Sequence, residues 1–212
     1  LRDYSGLEND GLTRNGVLTG REGVFSTDGI QVDGSDDYVD VGKPPELDLS
    51  SQRFSEGFTM SAWVKPQEVS DRQAIFTIAD GVSGGQWQAY LAYSRNDERR
   101  FFFSTRTNGQ TDIKSADLYP TDQWYFVTGV WNGQKDILYV NGEKQAEAAI
   151  GQPVNTDKNT VHIGRFPGFT HFNGSIDEVR LYNRSLSKPE IENLYFQGRN
   201  GEFSGSYRSE TF

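Results

Sequence analysis

The sequence predicts an all-β fold, in which two antiparallel sheets form a sandwich and one short helix lies near the C-terminus. Short runs of alternating apolar and polar residues recur along the 212-residue chain, and turn-forming residues, among them 23 glycines, separate them. The run at 124–131 (WYFVTGVW) is apolar on both faces, which is typical of an interior strand covered on each side. Asn-Gly pairs follow at 132–133 and 141–142, and both favour the positive φ of two-residue hairpin turns. These observations indicate a layered antiparallel structure.

The first third of the chain is predicted to hold loops and short strands. Its elements in order are a loop at 3–11 (DYSGLENDG), short strands at 17–19 and 24–25, strands at 30–32 and 38–41, and a polar connection at 46–57. Asp33-Gly34 is a turn signal, so the strands on either side of it are predicted to pair as a hairpin. Pro44-Pro45 then ends the second strand, because proline lacks the N–H that a sheet needs.

The strand at 58–66 has a buried face that can be assigned from its pattern. One face carries Phe58, Met60, Ala62 and Val64, and these alternate with Thr59, Ser61, Trp63 and Lys65. Pro66 ends the alternation. Further strands are predicted at 74–79, 87–93, 101–105, 160–165 and 172–182.

A single helix is predicted to start after Ser187. Ser187 and Glu190 have the spacing of a capping box, in which each residue satisfies a backbone donor of the other. Leu186 and Ile191 flank the box as a hydrophobic staple. The residues expected to dock the helix onto the sandwich are Leu194 and Tyr195.

The C-terminal boundary of the domain is predicted near residue 198. Residues 192–198 (ENLYFQG) are identical to the recognition peptide of a protease that is widely used to remove tags. A natural helix ending and an engineered scar therefore both remain open. The predicted organisation is one domain at 1–198, followed by a tail at 199–212.

Composition and charge narrow the range of partners. The formal net charge is −9 and no long Lys/Arg run occurs, so nucleic acid, itself a polyanion, is not an expected partner. The chain has no cysteine, which removes thiol nucleophiles, thiolate metal sites and disulfides together. No apolar run is long enough to span a bilayer, so membrane insertion is not expected either.

Several segments, in the right order, carry a resemblance to a known family. They read DYSGLENDG, DGSDDYVDV, FTMSAWVKP, WYFVTGVWNG with LYVNGE, VHIGR, and FNGSIDEVRLYNRSLSKPEIENLY. Together they extend over residues 3–195 and resemble the laminin-G-like, concanavalin A-like jelly-roll domains of secreted and cell-surface proteins. The chain departs from the family pattern at its start, because members usually have a strand upstream of the DxSG loop and almost nothing precedes Asp3 here.

The resemblance implies both a fold and a role. The fold would be a concanavalin A-like jelly-roll sandwich, and the role that of a non-catalytic extracellular carbohydrate-binding or adhesion module within a larger multidomain protein. Its partner would be a glycan or a cell-surface or extracellular protein. Two alternatives stay open, namely a structural or assembly domain of a surface or particle protein with no free-sugar ligand, and a polysaccharide-active enzyme.

Family members commonly hold a structural Ca²⁺ between the opening loop and the aspartate of the IDEVR segment. Carried onto matching positions, the ligands would be Asp3, Asn9, a backbone carbonyl near Gly11, and Asp177. Calcium takes about six to eight hard oxygens, which a Gly-rich acidic loop can supply. The alternative is that Asp3 and Asn9 cap turns while Asp177 accepts hydrogen bonds from the backbone.

The sequence contains no recognisable catalytic motif. Glycosidases of this general fold use the pattern E-x-D-x-E, which is absent; the nearest match, Glu46-Leu47-Asp48, lies in a predicted loop. Asp177 and Glu178 are adjacent, so on a regular strand they would point to opposite faces. Such a pair could not flank one glycosidic bond.

Candidate ligand-binding residues are aromatic and hydrogen-bonding side chains that could meet on one side of the sandwich. They are Trp87, Tyr90, Arg95, His162, Arg165 and His171, with Tyr93 and Phe169 as further candidates. Aromatic rings at such a surface would stack on sugar faces. The alternative for the rings is burial in the core, since Trp87 and Tyr93 share one strand parity and Tyr90 has the other.

Overall fold

A computed structural model describes residues 1–3, 5–24, 28–44, 49, 54–79, 87–95, 98–105, 112–150 and 160–200. Within these ranges the strands are β1 (Leu12–Arg14), β2 (Leu18–Glu22), β3 (Asp28–Asp33), β4 (Tyr38–Gly42), β5 (Phe58–Pro66), β6 (Gln73–Ala79), β7 (Trp87–Arg95), β8 (Glu98–Thr105), β9 (Ile113–Lys114), β10 (Tyr125–Trp131), β11 (Lys135–Val140), β12 (Glu143–Ala149), β13 (Thr160–Ile163), β14 (Arg165–Phe166), β15 (Thr170–His171) and β16 (Asn173–Tyr182). The helix α1 is Lys188–Arg199.

The strands form two large antiparallel sheets that pack face to face. Sheet I has the order β1-β4-β13-β6-β7-β8-β9, and sheet II has the order β12-β11-β10-β5-β16-β3-β2. Within the described residues, strands β14 and β15 pair with each other and form a separate two-stranded sheet. The predicted jelly-roll sandwich of two antiparallel sheets with one short helix is confirmed for the described residues. No helix in those residues is long and apolar enough to cross a membrane.

Strand β5 lies in the middle of sheet II and is buried on both faces. Phe58, Met60, Ala62 and Val64 face sheet I and join the main hydrophobic cluster between the two sheets. Trp63 faces the other way and belongs to a second cluster, on the outer side of sheet II. Each large side chain buried in this way stabilises the fold by about 1.5–3 kcal/mol. The face assignment made from the sequence is therefore correct.

The helix begins at the predicted cap. The backbone N–H of Ser187 donates to Oε2 of Glu190 at 2.8 Å, and the Ser187 hydroxyl donates to the same oxygen at 2.7 Å. The ENLYFQG segment forms the greater part of α1.

Helix α1 covers the outer side of sheet II. Ile191 and Leu194 are buried in the second cluster, together with Leu186 from the segment before the helix. The ring of Tyr195 stacks on Trp63, with ring centroids 5.6 Å apart. The predicted docking of the helix through Leu194 and Tyr195 is confirmed.

The predicted hairpin between residues 30–32 and 38–41 is wrong. Strand β3 pairs with β2 and β16 in sheet II, whereas β4 pairs with β1 and β13 in sheet I. Residues 34–37 therefore form an arch from one sheet to the other. Asp37 closes this arch by accepting hydrogen bonds from the backbone N–H groups of Gly16 and Asp33. A turn signal marks a reversal of the chain but does not specify which sheet receives the next strand.

Two smaller predictions also need correction. Val24 lies outside the strands, and Phe25 is not among the described residues. The loop from β10 to β11 contains three residues, and only Gly133 in its Asn-Gly pair has positive φ. The loop from β11 to β12 is the predicted two-residue turn, with φ of 53° at Asn141 and 81° at Gly142.

The two sheets approach closely where Gly129 of β10 faces Phe103 of β8. A Cβ atom added to Gly129 would lie 2.2 Å from Cδ2 of Phe103, well inside van der Waals contact. The absence of a side chain at 129 therefore makes room for the buried ring of Phe103.

One buried carboxylate joins the sheets at the edge of the main cluster. Asp136 of β11 accepts hydrogen bonds from the backbone N–H and the hydroxyl of Thr105 at the end of β8, each at 2.9 Å. Burial and the nearby charge of Asp112 together raise the pKa of Asp136 to about 7, against the lowering effect of the Thr105 hydrogen bonds. A carboxylate in this position accordingly titrates near neutral pH.

We expect Gly129→Ala to destabilise the protein by about 2 kcal/mol or more, because Phe103 must move to admit the new methyl group. Urea unfolding measures the change. Phe103→Leu in the same background should recover part of the loss, since the shorter side chain frees space above residue 129. Strictly additive losses for the two substitutions would contradict the predicted contact.

We expect the unfolding free energy of the wild type to fall as pH rises from about 4 to above 7, relative to Asp136→Asn. The folded-state pKa of Asp136 exceeds its unfolded value, so the folded state binds more protons between those two pKa values and loses that advantage once both states are ionised. The difference should amount to about 2–4 kcal/mol. Denaturant titrations at pH 5 and pH 8 measure it, and the exposed Asp117→Asn serves as the control. Parallel pH profiles for wild type and Asp136→Asn would refute the prediction.

Candidate functional site

The register of β13 turns one histidine to the outer face of sheet I. Val161 and Ile163 point into the main cluster between the sheets, and His162 between them points outward. The strand then stops at Gly164, whose φ of 81° is readily adopted only by glycine. After this break, β14 and β15 form a short hairpin in which Arg165 pairs with His171.

A tyrosine lies at the centre of the resulting cluster. The guanidinium carbon of Arg165 lies 4.3 Å from the ring centroid of Tyr38 on β4. The rings of His162 and His171 lie 5.7 Å and 6.3 Å from the same ring. We call these four residues, Tyr38, His162, Arg165 and His171, the Tyr38 cluster.

Arg165 supplies the positive charge of the Tyr38 cluster. Burial and the charge of Arg165 together lower the pKa of His162 to about 4, against the opposing effect of Asp40. Burial and Arg165 also lower the pKa of His171, against the effect of Asp36, Asp33 and Asp37. Both imidazoles are therefore neutral at pH 7, and each can donate from one ring nitrogen and accept at the other.

Two polar atoms of the cluster have no hydrogen-bond partner within the described residues. They are Nδ1 of His162, in a side chain that is only 4% exposed, and Nε of Arg165. A buried polar atom without a hydrogen-bond partner lowers the stability of the fold by about 1–3 kcal/mol, so such atoms call for an explanation.

Aromatic packing supports the hairpin from below. Tyr90 and Phe166 meet edge to face at 5.6 Å in a third hydrophobic cluster, on the outer face of sheet I. Phe169 in the loop of the hairpin packs edge to face on Phe166 but is itself 56% exposed. It is thus a large apolar ring that remains accessible beside the Tyr38 cluster.

The structure brings together three of the six predicted ligand-binding residues. His162, Arg165 and His171 are neighbours, whereas Tyr90 is buried beneath the hairpin and supports it. Trp87 and Arg95 lie at the two ends of β7, and their side chains fall outside the described part of the chain. Tyr93, the further candidate, is in the main cluster, where its hydroxyl donates to the carbonyl of Tyr119.

Sequence reasoning missed Tyr38, the centre of the cluster. Its alternation with buried Val39 indicates an outward side chain. The pairing of β4 with β13, which brings Tyr38 close to His162, spans about 120 residues of sequence and has no local signal.

Three of the predicted calcium ligands belong to the opening loop. Asp3 accepts hydrogen bonds from the backbone N–H of Ser5, the hydroxyl of Ser5 and the backbone N–H of Asn9. Burial raises the pKa of Asp3, but these hydrogen bonds outweigh it and hold the pKa below its ordinary value. The carbonyl of Gly11 accepts from the N-terminal amino group of Leu1.

The fourth predicted ligand, Asp177, is held by other groups. One carboxylate oxygen accepts from the backbone N–H of Val24 at 3.0 Å, and the other accepts from the N–H of Glu178. Asp177 lies opposite Trp63, in the part of β16 where the register with β5 shifts, so this strand is not regular here. Glu178 forms an ion pair with Arg180.

Carboxylate, amide and carbonyl oxygens suit Ca²⁺ as a donor set. In this structure the oxygens of both aspartates already accept N–H or O–H groups, as the capping alternative expected. Calcium at these residues therefore stays a prediction.

A cavity of about 440 Å³ lies between the arch and the edge of sheet II. Its lining mixes polar and apolar surface and consists of Gly16, Leu18, Gln31, Val32, Asp33, Asp37, Gln67 and Asn173. Asp33, Asp36 and Asp37 have carboxylate oxygens within 4.8 Å of one another. Asp33 and Asp37 accept backbone N–H groups of the arch region, so these two residues have a structural role.

Comparison with known proteins identifies the fold family. Residues 33–192 match a laminin G family of the concanavalin A-like lectin/glucanases superfamily. The matched range includes the Tyr38 cluster and Asp177 but begins after the opening loop.

Two curated relatives and one solved structure are similar to the chain. Adhesion G-protein coupled receptor V1 of Danio rerio is 24% identical over 162 residues, and usherin of Homo sapiens is 24% identical over 154 residues. The alignments cover 72% and 68% of this chain but only 2% and 3% of those proteins. Domain 4 of AbnA, a GH43 extracellular arabinanase from Geobacillus stearothermophilus in complex with arabinotriose, superposes with a TM-score of 0.68 at 17% identity. That match covers 86% of this chain and 82% of the other, and it establishes a shared fold alone.

Proposed function

Because the chain belongs to the concanavalin A-like lectin/glucanases superfamily, we propose that it is a non-catalytic glycan-binding module. The module would act outside the cell as part of a larger protein. Its binding surface would be the outer face of sheet I at the Tyr38 cluster, with Phe169 beside it.

The observation that carries this proposal is the gathering of hydrogen-bonding side chains around Tyr38. Arg165 donates through a planar fork, and two neutral imidazoles offer both donors and acceptors. Sugar hydroxyls are both donors and acceptors and match this set. The exposed ring of Phe169 adds an apolar surface of the kind that stacks on a sugar ring. The ring of Tyr38 is less suited to stacking, since Arg165 covers it.

The similar proteins support the setting. Domain 4 of AbnA holds arabinotriose and belongs to an extracellular enzyme. The name of the relative from Danio rerio is that of an adhesion receptor. A binding role outside the cell, beside other domains, agrees with both.

Calcium would stabilise this module at its opening loop. Asp3, Asn9 and the carbonyl of Gly11 would hold the ion, with Asp177 as the ligand contributed by β16. An ion there would tie the opening loop to the sandwich and would play no part in sugar binding.

We expect glycan binding to be about tenfold weaker in Phe169→Ala than in the wild type, because the stacking surface is lost. A glycan array identifies a bound oligosaccharide, and calorimetry measures its dissociation constant. Phe196→Ala is the matched control, since Phe196 is 53% exposed on α1, which covers the other sheet.

The glycan experiment also tests the rival roles. The proposal would be refuted if both phenylalanine substitutions weakened binding equally. It would also be refuted if the wild type bound no glycan and the protein self-associated. Either result would favour an assembly domain. Turnover of a polysaccharide would favour the enzyme.

We expect millimolar Ca²⁺ to raise the melting temperature of the wild type above its value in a chelator, by mass action on the folded state. Asp3→Asn should reduce that increase, and Asp117→Asn, which removes an exposed carboxylate elsewhere, should not. Identical melting temperatures for the wild type in Ca²⁺ and in chelator would rule out the site.

A further inference from the structure

We propose that the glycan recognised at the Tyr38 cluster carries a carboxylate, as a uronic acid does, and that Arg165 binds it. This inference rests on the proposed function and adds the chemical class of the ligand. The structural basis is that Arg165 is a partly buried cation with no anionic partner in the part of the chain that the structure describes.

Several arginines of the described residues form ion pairs, and Arg165 does not. Within the described residues, Arg14 pairs with Asp40, Arg100 with Glu98, and Arg180 with Glu178. Arg165 makes no ion pair in those residues, and its guanidinium instead lies over the ring of Tyr38. In a chain of net charge −9 carboxylates are plentiful, yet none of those that the structure describes pairs with this guanidinium.

Two buried polar atoms of the Tyr38 cluster indicate a site that is arranged to bind a ligand. Nε of Arg165 is buried and has no hydrogen-bond partner among the described residues, and the same holds for Nδ1 of His162. The guanidinium as a whole belongs to a side chain that is only partly buried, so a ligand carboxylate could form two parallel charge-assisted hydrogen bonds with it. The same ligand would supply hydroxyls for the imidazoles, which are neutral and so add no competing charge.

Two of the nearby aspartates are already engaged. Asp40 pairs with Arg14 at 2.9 Å, and Asp37 accepts the backbone N–H groups of Gly16 and Asp33. Asp33 and Asp36 are exposed, so water and salt screen their repulsion of a ligand. Arg165 would give the ligand carboxylate a direct charge-assisted contact, and such hydrogen bonds are roughly twice as strong as neutral ones.

The test compares acidic oligosaccharides with their neutral counterparts. Oligogalacturonate and hyaluronan oligosaccharides are titrated into the intact chain by calorimetry, each beside its carboxyl methyl ester, which has the same stereochemistry and no charge. A sulfated oligosaccharide without uronic acid is the third probe. The wild type should bind at least one acid form about ten- to hundredfold more tightly than its ester.

Variants locate the contact. Arg165→Ala should remove the preference for the acid over the ester. Arg165→Lys keeps the charge but loses the planar guanidinium, so it should retain part of that preference. Arg72→Ala is the matched control, because Arg72 also lies over a tyrosine ring, that of Tyr90, at 5.9 Å. Thermal melts of each variant confirm that the fold is retained.

The outcomes separate this inference from the function on which it rests. Equal affinity for acid and ester would overturn the carboxylate while leaving glycan binding intact, and so would binding of the sulfated probe alone. Equal loss of preference in Arg72→Ala and Arg165→Ala would overturn the assignment to Arg165. Failure of the wild type to bind any acidic or neutral glycan would overturn both proposals.

Discussion

The burial of β5 on both of its faces is the constraint on which the rest of the structure depends. One face packs against sheet I and so creates the sandwich, while Trp63 on the other face gives α1 its docking surface. The first contact requires the sheets to approach closely, which Gly129 permits by leaving room for Phe103. Because the interior is densely packed, little of this arrangement can change without a cost in stability.

The same sandwich determines where chemistry can occur. Val161 and Ile163 are buried in the core. Because side chains alternate along β13, His162 between them lies on the outer face of sheet I. The break at Gly164 then folds the β14–β15 hairpin over that face, which brings Arg165 and His171 to Tyr38. The hairpin also buries Tyr90 as its support. A cation, two neutral imidazoles and an exposed ring are thus collected on one surface by backbone geometry.

Short sequence patterns predicted the strands and the helix that depend on neighbouring residues. The alternation of residues 58–66 identified β5 and its buried face, and the spacing of Ser187 and Glu190 identified the start of α1. The pairing of strands was predictable only where a short turn joined them, as at Asn141-Gly142. The prediction failed at Asp33-Gly34, where the chain crosses between sheets, because both outcomes begin with a similar turn. Of the ligand-binding candidates, the three that met are those carried by β13 and the following hairpin.

The sequence alone determined the fold class, the family and the chemical character of the candidate side chains, because periodicity, turn residues and motif order are properties of neighbouring residues. Only the tertiary structure decided that Tyr38 is the centre of the site and that no carboxylate of the described residues pairs with Arg165. Both facts depend on the pairing of β4 with β13. Contacts between strands that are distant in sequence come from the packing of the whole core, and no short segment of the chain encodes them.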